Sequence, residues 1–302
     1  MHINLHLLRI FFMVADHRSF SRAAEVLHVS QPAVSKAVRE LERQLDLTLI
    51  ERGSGGARGT KGVRLTDSGS ALYEHARGIF ALERAALEDI RARIGNQRGR
   101  LVVGASTTVA GYWLPPYVAA LSTGLPSIDV RVVVGNTQSI AQTLIDCELD
   151  VALVEGVVDD PRIVATHWRD DQMRLVAHPA SPVARRRKLG TDELNRQPWL
   201  MREPGSGTRL VTEDIMQTAG IEPDRRVELG SNEGIARAVA AGLGVAILPE
   251  CVVRDLAQLG RLKYLRHPVS GQMRPLYLLQ LRERPPSPLV RAFTAILAER
   301  HG

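Results

Sequence analysis

The sequence predicts an all-α N-terminal domain, a long linker helix and a larger C-terminal α/β domain. Three observations support this fold class. Apolar residues repeat at helical spacing over the first 45 residues, and a second helical pattern follows Thr66. From Leu101 onward, short apolar strands alternate with helical stretches. A chain of 302 residues has room for two domains, or for three if one of them is small.

Composition places the chain among globular proteins. Hydrophobic residues make up 44% and charged residues 24%, which excludes a disordered or collagen-like chain. Because Cys147 and Cys251 are the two cysteines and no CxxC is present, we expect neither a disulfide framework nor a metal or other cofactor. Glycines and prolines interrupt the uncharged run 101–128, and Arg9 and Asp16 fall where a signal peptide would be apolar. We therefore expect a cytoplasmic protein without a membrane partner.

The positive charge is concentrated near the N-terminus. The whole chain carries a net charge of +6, and residues 1–66 hold ten Lys and Arg against six Asp and Glu. This segment is therefore the part most suited to a polyanionic partner such as nucleic acid. A solvated basic surface is the alternative.

Two helices are predicted before residue 30. The first covers about residues 5–17, and the second is short and is capped by Ser19 or Ser21. The inward residues of the first helix are Leu8, Phe11, Phe12 and Ala15, and those of the second are Ala23, Ala24 and Leu27.

A third helix begins after Ser30, with Pro32 in its first turn, where a missing N–H costs nothing. Its buried stripe is Val34, Val38, Leu41 and Leu45, and its opposite face carries Gln31, Ala33, Ser35, Lys36, Arg39 and Arg43. Gln pairs with adenine, Lys and Arg pair with guanine or phosphate, and a small residue admits a thymine methyl group. Three helices with a tight turn between the last two predict a helix-turn-helix that reads the DNA major groove. An amphipathic helix with a solvated polar face is the alternative.

A glycine-rich stretch over residues 53–62 follows the three helices. It contains no GxxxxGK[ST] and no strand precedes it, so a wing fits better than a phosphate-binding loop. Arg58, Lys61 and Arg64 are then placed to reach DNA phosphates or the minor groove.

Thr66 caps the next predicted helix, which is nearly 30 residues long. Its apolar seam is interrupted by Glu83 and consists of Leu72, Ala76, Ile79, Ala86, Ile90 and Ile94. Such a seam requires a partner, and a second copy of the chain is the simplest one.

The remainder of the chain predicts an α/β domain with mainly parallel sheets. The predicted strands cover residues 101–104, 130–134, 151–154, 173–177, 199–201, 227–229, 245–248 and 276–281. Polar residues follow several of these strands at points where backbone N–H groups would be free to meet an anion. These candidate ligand contacts are Ser106, Thr107, Thr108, Glu155, Arg202, Glu203, Gly205, Ser206, Thr208 and Asn232. Ordinary turn and cap chemistry is the alternative.

The N-terminal segment resembles the LysR-type bacterial transcriptional regulators. The matching segments are 20–24 (FSRAA), 30–35 (SQPAVS), 41–42 (LE) and 65–69 (LTDSG), together with Leu27, Leu45 and Arg52. The chain departs from the usual pattern of the family in two places. It has Ile50 where the family usually has an aromatic residue, and its glycine-rich wing is longer than is usual in the family. The resemblance implies these DNA contacts: Ser21, Arg22, Ser30, Gln31, Ala33, Ser35, Lys36, Arg39, Arg52, Arg58, Lys61 and Arg64.

Over the whole chain the resemblance implies a winged helix-turn-helix domain (1–66), a dimerising linker helix (67–97) and an effector-binding domain (98–302). The last would have a two-lobed, periplasmic-binding-protein-like fold with lobe I at 98–167 and 271–302, lobe II at 168–270, and crossovers near residues 167 and 270. A small, anionic effector would bind between the lobes of a homodimer or homotetramer that contacts operator DNA and RNA polymerase. Residues 153–156 and 202–209 look most like the branch that regulates sulfur assimilation and carbon fixation.

Two other classes of function fit the sequence less well. An enzyme is disfavoured because HExxH, GxSxG, kinase and P-loop motifs are all missing, and His2 and His6 lack a third metal ligand. A DNA-coating protein suits the basic residues but leaves the C-terminal domain unexplained. The cationic run 185–188 is expected to be a solvated loop, with a second DNA contact as the alternative.

Overall fold

The computed structural model describes residues 2–51, 63–93, 99–187 and 189–299. Arg52, Arg58, Lys61 and the rest of the glycine-rich stretch lie outside the described residues, as do Ile94 and Lys188. The chain divides into two compact units, Met1–Arg84 and Ala85–Gly302.

The first unit contains α1 (Leu5–His17), α2 (Phe20–Leu27), α3 (Gln31–Leu45) and the first part of α4 (Asp67–Arg93). The predicted span of α1 is confirmed. Ser19 rather than Ser21 caps α2, because its side chain accepts a hydrogen bond from the Arg22 N–H. Ser30 caps α3 in the same way, and Thr66 accepts from Gly69 at 3.0 Å at the start of α4.

The core of this unit follows the predicted apolar stripes. Its fully buried members include Leu8, Phe11, Val34, Val38 and Leu41. Phe12 is half-buried and packs on the rings of Tyr73 and Phe80 of α4, with centroid distances of 5.4 and 5.3 Å.

A buried carboxylate links α3 to the segment that follows it. Glu42 accepts hydrogen bonds from the N–H groups of Leu49 and Ile50 at 2.9 and 3.3 Å. Ile50 in turn forms an antiparallel bridge with Leu65. The apolar pattern of α3 did not predict this burial, because a glutamate at a helical position is typical of a solvent-exposed face.

The second unit is built on one mixed sheet flanked by helices. Its strands are β1 (Gly99–Ser106), β2 (Ile128–Gly135), β3 (Val151–Glu155), β4 (Ile163–Ala177), β5 (Pro198–Met201), β6 (Arg225–Glu228), β7 (Val245–Pro249), β8 (Lys263–Tyr264) and β9 (Met273–Leu281). Its remaining helices are α5 (Pro115–Gly124), α6 (Thr137–Ile145), α7 (Thr191–Asn195), α8 (Gly207–Thr218), α9 (Asn232–Ala240), α10 (Glu250–Gln258) and α11 (Pro288–Glu299). The strand order is β2-β1-β3-β9-β4-β7-β5-β6, with β8 beside β4.

All eight predicted strands are present, but the sheet is not mainly parallel. β1 pairs in parallel with β2 and β3, and β5 pairs in parallel with β6 and β7. β4 and β9 run antiparallel to each other and to their neighbours β3, β7 and β8. The physical reason is that β4 leads the chain from one end of the sheet to the other and β9 follows its return. These two strands therefore run in opposite directions to each other and to the strands beside them. The short strand β8 was not predicted.

Two lobes share this sheet. We call the part with β1, β2, β3 and β9 lobe I and the part with β5, β6, β7 and β8 lobe II. The strand β4 pairs with β9 up to Gln172 and with β7 from Met173. This change of partner lies later than the crossover expected near residue 167, where the strand instead shifts register. The chain returns to lobe I next to this point, at Gln272, because the Met173 N–H donates to the Gln272 carbonyl at 2.8 Å.

Each lobe has apolar residues on both faces of its sheet, as expected for strands covered by helices. β3 and β7 are buried along their whole length. Within the described ranges, no helix is both long enough and apolar enough to cross a membrane.

Candidate functional site

The exposed face of α3 carries the predicted DNA-reading residues. Gln31, Ala33, Lys36 and Arg39 are exposed and Ser35 is half-buried. The Arg39 guanidinium donates to the Ser35 hydroxyl at 3.3 Å. By contrast, Arg43 is bound through two hydrogen bonds to Glu40, at 2.9 and 2.6 Å. In the part of the chain that the structure describes, Arg39 has no carboxylate partner, whereas Arg43 forms an exposed ion pair with Glu40.

The other predicted DNA contacts lie near the ends of this helical unit. Ser21 and Arg22 are exposed on α2, where Arg22 pairs with Glu25 at 2.9 Å. Ser30 is used as the cap of α3. Arg64 is exposed, and its Nε atom lies 3.9 Å from Glu51 Oε2.

The predicted ligand contacts converge where the two lobes meet. Residues 106–108 and Glu155 stand at the carboxyl ends of β1 and β3 in lobe I. Residues 202–208 follow β5 in lobe II, and Asn232 begins α9. Ligands of open α/β sheets bind at this edge, the carboxyl ends of the parallel strands.

The Thr208 hydroxyl is the centre of this arrangement. It donates to Glu155 Oε1 at 3.2 Å and accepts from Asn232 Nδ2 at 3.2 Å and from Arg274 Nη1 at 2.9 Å. Asn232 also donates to the Thr108 hydroxyl in lobe I at 2.8 Å. A hydroxyl has one proton to donate and two lone pairs to accept, so Thr208 is fully satisfied.

Arg202 forms a second polar centre. It is 2% exposed, donates to both carboxylate oxygens of Glu203 at 2.8 Å, and reaches the Thr107 hydroxyl of lobe I at 3.1 Å. Burial acts to raise the pKa of Glu203, but the hydrogen bonds and positive charge of Arg202 outweigh it and hold that pKa below its ordinary value. Asn136 adds a hydrogen bond to the same carboxylate at 3.3 Å.

The glycine-rich turn after Arg202 lies against lobe I. The Gly205 carbonyl accepts from the Gln138 N–H at 3.0 Å, and the Gly207 N–H donates to the Thr137 hydroxyl at 3.2 Å. A Cβ on Gly207 would overlap the Glu155 carbonyl. Gly207 is therefore required for the close approach of the two backbones.

Sequence reasoning missed the buried ion pair of Arg274 and Asp171. Their Nη2 and Oδ2 atoms are 2.8 Å apart, and Arg274 also lies 3.7 Å from Glu155. Arg274 lies at the start of β9 and Asp171 lies in β4 just before that strand changes partner, and Arg274 is fully buried. The available signal was a charge next to the predicted strand 276–281.

Several buried polar atoms of the cleft have no protein partner. Within the described residues they are Glu155 Oε2, Ser206 Oγ, Asn232 Oδ1 and Arg274 Nε. Leaving such groups unpaired is costly, so this cleft has hydrogen-bonding capacity to offer a ligand. Ser106 differs, because its hydroxyl accepts from the N–H of Val109, the first residue of a short π-helix, Val109–Trp113.

We predict that Gly207→Ala destabilises the second unit by about 1–3 kcal/mol, because the added methyl group forces the lobes apart. All three tryptophans, Trp113, Trp168 and Trp199, lie in this unit, so their fluorescence during urea unfolding measures its stability. The control is Gly111→Ala, where a Cβ meets no atom within 4 Å. Equal stability of the two variants would contradict the prediction.

We predict slow alkylation of Cys251 in the native chain. Burial, followed by the charge of Asp171, raises the pKa of this thiol to about 12, and its Sγ lies 3.9 Å from Asp171 Oδ2. Since the thiolate is the nucleophile, iodoacetamide at about pH 8 should label Cys251 far more slowly before denaturation than after it. Peptide mass spectrometry measures both rates, and equal rates would refute the expectation.

Comparison with known proteins identifies both parts of the chain. Residues 5–70 match the bacterial regulatory helix-turn-helix protein, lysR family, and residues 95–302 match the LysR substrate binding domain. The transcriptional regulator CysL of Bacillus subtilis is 30% identical over 247 residues, which cover 82% of this chain and 81% of that protein. The RuBisCO operon transcriptional regulator of Allochromatium vinosum is 32% identical over 293 residues, 97% of this chain and 95% of that protein.

Two solved structures show the same fold. A full-length OxyR variant from Pseudomonas aeruginosa has a TM-score of 0.74 at 24% identity and covers 99% of this chain and 94% of its own. The CcmR regulatory domain of Synechocystis PCC6803, in complex with 2-PG, has a TM-score of 0.62 at 25% identity and covers 68% and 99%. The expected helix-turn-helix and α/β effector-domain architecture is confirmed, as is the resemblance to the sulfur-assimilation and carbon-fixation branch. The chain belongs to the LysR family of bacterial DNA-binding transcriptional regulators.

Proposed function

We propose that this regulator reads operator DNA with α3 and responds to a small anionic effector held between the lobes of its C-terminal domain. The observation that carries the proposal is the cleft around Thr208, where polar groups from both lobes meet and several remain unpaired. A ligand that completes these contacts favours the closed arrangement of the lobes and shifts the equilibrium towards it.

The DNA contacts divide into two kinds. Gln31, Ala33, Ser35, Lys36 and Arg39 would meet base edges, because they lie on the outer face of α3 near its N-terminal end. Ser21, Arg22, Ser30 and Arg64 would contact the backbone from its flanks, and we propose the same for Arg52, Arg58 and Lys61.

We predict that Arg39→Ala weakens binding to the operator by about 1–3 kcal/mol and leaves binding to random duplex DNA much less affected. Arg64→Ala should instead weaken binding to both DNAs alike and reduce the salt slope by about 0.9, the value for one lost phosphate contact. Genomic DNA fragments retained by the protein would supply the operator, and fluorescence anisotropy at several salt concentrations measures both effects. Arg43→Ala is the control, because Arg43 lies in the last turn of α3, beyond the residues proposed to meet base edges. Equal losses on both DNAs for Arg39→Ala would contradict base reading.

The chemistry of the cleft also constrains the effector. Arg202 and the hydroxyl groups of Thr107 and Ser206 are donors suited to an anionic group. Glu155 Oε2 and Asn232 Oδ1 are acceptors, so the effector would also carry a hydroxyl or amino donor. The complex of the CcmR domain with 2-PG supports this class of ligand.

We predict that Arg202→Gln weakens binding of 2-PG by about tenfold or more, because charge-assisted hydrogen bonds are the strong ones. Isothermal titration calorimetry measures the affinity of the full chain for 2-PG, phosphate and sulfate. Arg237→Gln, an exposed position on α9, is the control for the loss of one positive charge. Tryptophan fluorescence checks that the variant stays folded. No measurable binding of any of the three anions to the wild type would contradict the proposed effector class.

The linker helix would join copies of the chain. Several of its apolar side chains are exposed: Ile79, Leu82, Leu87 and Ile90. These residues would bury one another in a homodimer, and we propose a homotetramer as the complete assembly.

We predict that Leu82→Asp combined with Ile90→Asp shifts the chain towards monomers and abolishes tight operator binding. The reason is that dimer formation and tight operator binding both require the exposed apolar side chains of the linker helix. Sedimentation velocity measures the mass, and Glu74→Gln, an exposed position on the same helix, is the control. An unchanged mass would argue against this interface.

The remaining expectations also stay proposals. We propose that the regulator acts in the cytoplasm, contacts RNA polymerase at its promoters and catalyses no reaction. The domain boundaries 1–66, 67–97 and 98–302, with lobe I at 98–167 and 271–302 and lobe II at 168–270, remain part of this proposal.

A further inference from the structure

Lobe II carries a basic groove away from the cleft. It has a volume of about 290 Å³ and is lined by two segments of the chain, residues 184–187 and residues 263–266. Five of the eight lining residues are cationic, and none carries a carboxylate. These cations are Arg185, Arg186, Arg187, Lys263 and Arg266.

Both segments are anchored to the lobe. Val183, Ala184 and Leu265 are buried in or beside the groove. The Ala184 N–H donates to the Ser181 carbonyl at 3.1 Å, and the Leu265 N–H donates to the Leu175 carbonyl of β4 at 2.8 Å. The exposure of Arg185, Arg186 and Arg187 agrees with the expected solvated run, and these side chains project from a backbone that is hydrogen-bonded to the lobe.

The charge of the groove is largely uncompensated. Arg186 pairs with Glu193 at 3.2 Å. In the described part of the chain, no ion pair or hydrogen bond to a carboxylate engages the other four: Arg185, Arg187, Lys263 and Arg266. Four like charges around one small cavity repel one another, so this surface favours an anion of matching charge.

We propose that this groove binds a small molecule with two linked phosphate groups, at a site separate from the effector cleft. A single phosphate ester carries about −1.5 to −2 charges at pH 7, so two phosphates are needed to approach the charge of the four cations. Guanidinium groups match phosphate oxygens in a bidentate geometry, which favours this ligand at an arginine-rich site. A cavity of about 290 Å³ holds a small molecule, whereas DNA contacts spread over about 1,000 Å² or more of protein surface.

Inorganic pyrophosphate is the probe that tests the proposal. Calorimetric titration of the full chain should show saturable binding. Arg187→Gln combined with Arg266→Gln takes one exposed cation from each segment and should weaken that binding by about tenfold or more, since it removes charge-assisted hydrogen bonds. The control, Arg225→Gln with Arg226→Gln, removes the same charge from exposed positions of β6 and should stay within about twofold of wild type.

Three results would overturn the proposal. The first is a wild-type chain that binds no pyrophosphate. The second is an equal loss in the groove variant and the control variant, which would show general charge attraction. The third is a groove variant that binds pyrophosphate normally but loses affinity for a random DNA duplex, which would make the groove a DNA contact. Circular dichroism confirms that both variants fold, which is expected because the substituted side chains are exposed.

Discussion

The geometry of the second unit depends on the three hydrogen bonds of the Thr208 hydroxyl. One side chain on α8 joins β3, α9 and β9, and Asn232 extends the connection to Thr108 beside β1. Because no capacity remains on Thr208, each of its partners is fixed relative to the others. The unpaired atoms that surround it are therefore held in place, and the proposed effector would meet a cleft that is already organised.

The buried charges place the cleft in contact with the connection between the lobes. Arg274 and Asp171 lie beside the crossings between the lobes, at the start of β9 and in β4 just before its change of partner, and Glu155 ends the neighbouring strand β3. The carboxylates of Glu155 and Asp171 face the one guanidinium of Arg274 in a buried region. The electrostatic energy of this group therefore depends strongly on any further charge that enters. The proposed effector site and the crossings between the lobes thus share the same few residues.

Local signals predicted the helical unit well, because caps and apolar spacing act within a few residues. Ser30 with Pro32 specified the start of α3, and the stripe from Val34 to Leu45 specified its buried face. The proposed ligand contacts of lobe II lie together because Arg202, Gly205 and Thr208 follow one strand closely. Thr137, Asp171 and Arg274 were missed because their partners are distant in sequence, and antiparallel pairing of β4 and β9 depends on the same long-range contacts.

The two crossings between the lobes lie side by side, and this limits how the lobes can move. Met173 of β4 is bonded to Gln272 at the entrance of β9, so both backbones pass through one narrow place. A pair of adjacent strands resists sliding but permits twisting about its own length. We therefore expect lobe I and lobe II to rotate relative to each other about these two adjacent strands. A small change of angle at these two strands would therefore cause the largest displacements in the parts of each lobe that lie farthest from them.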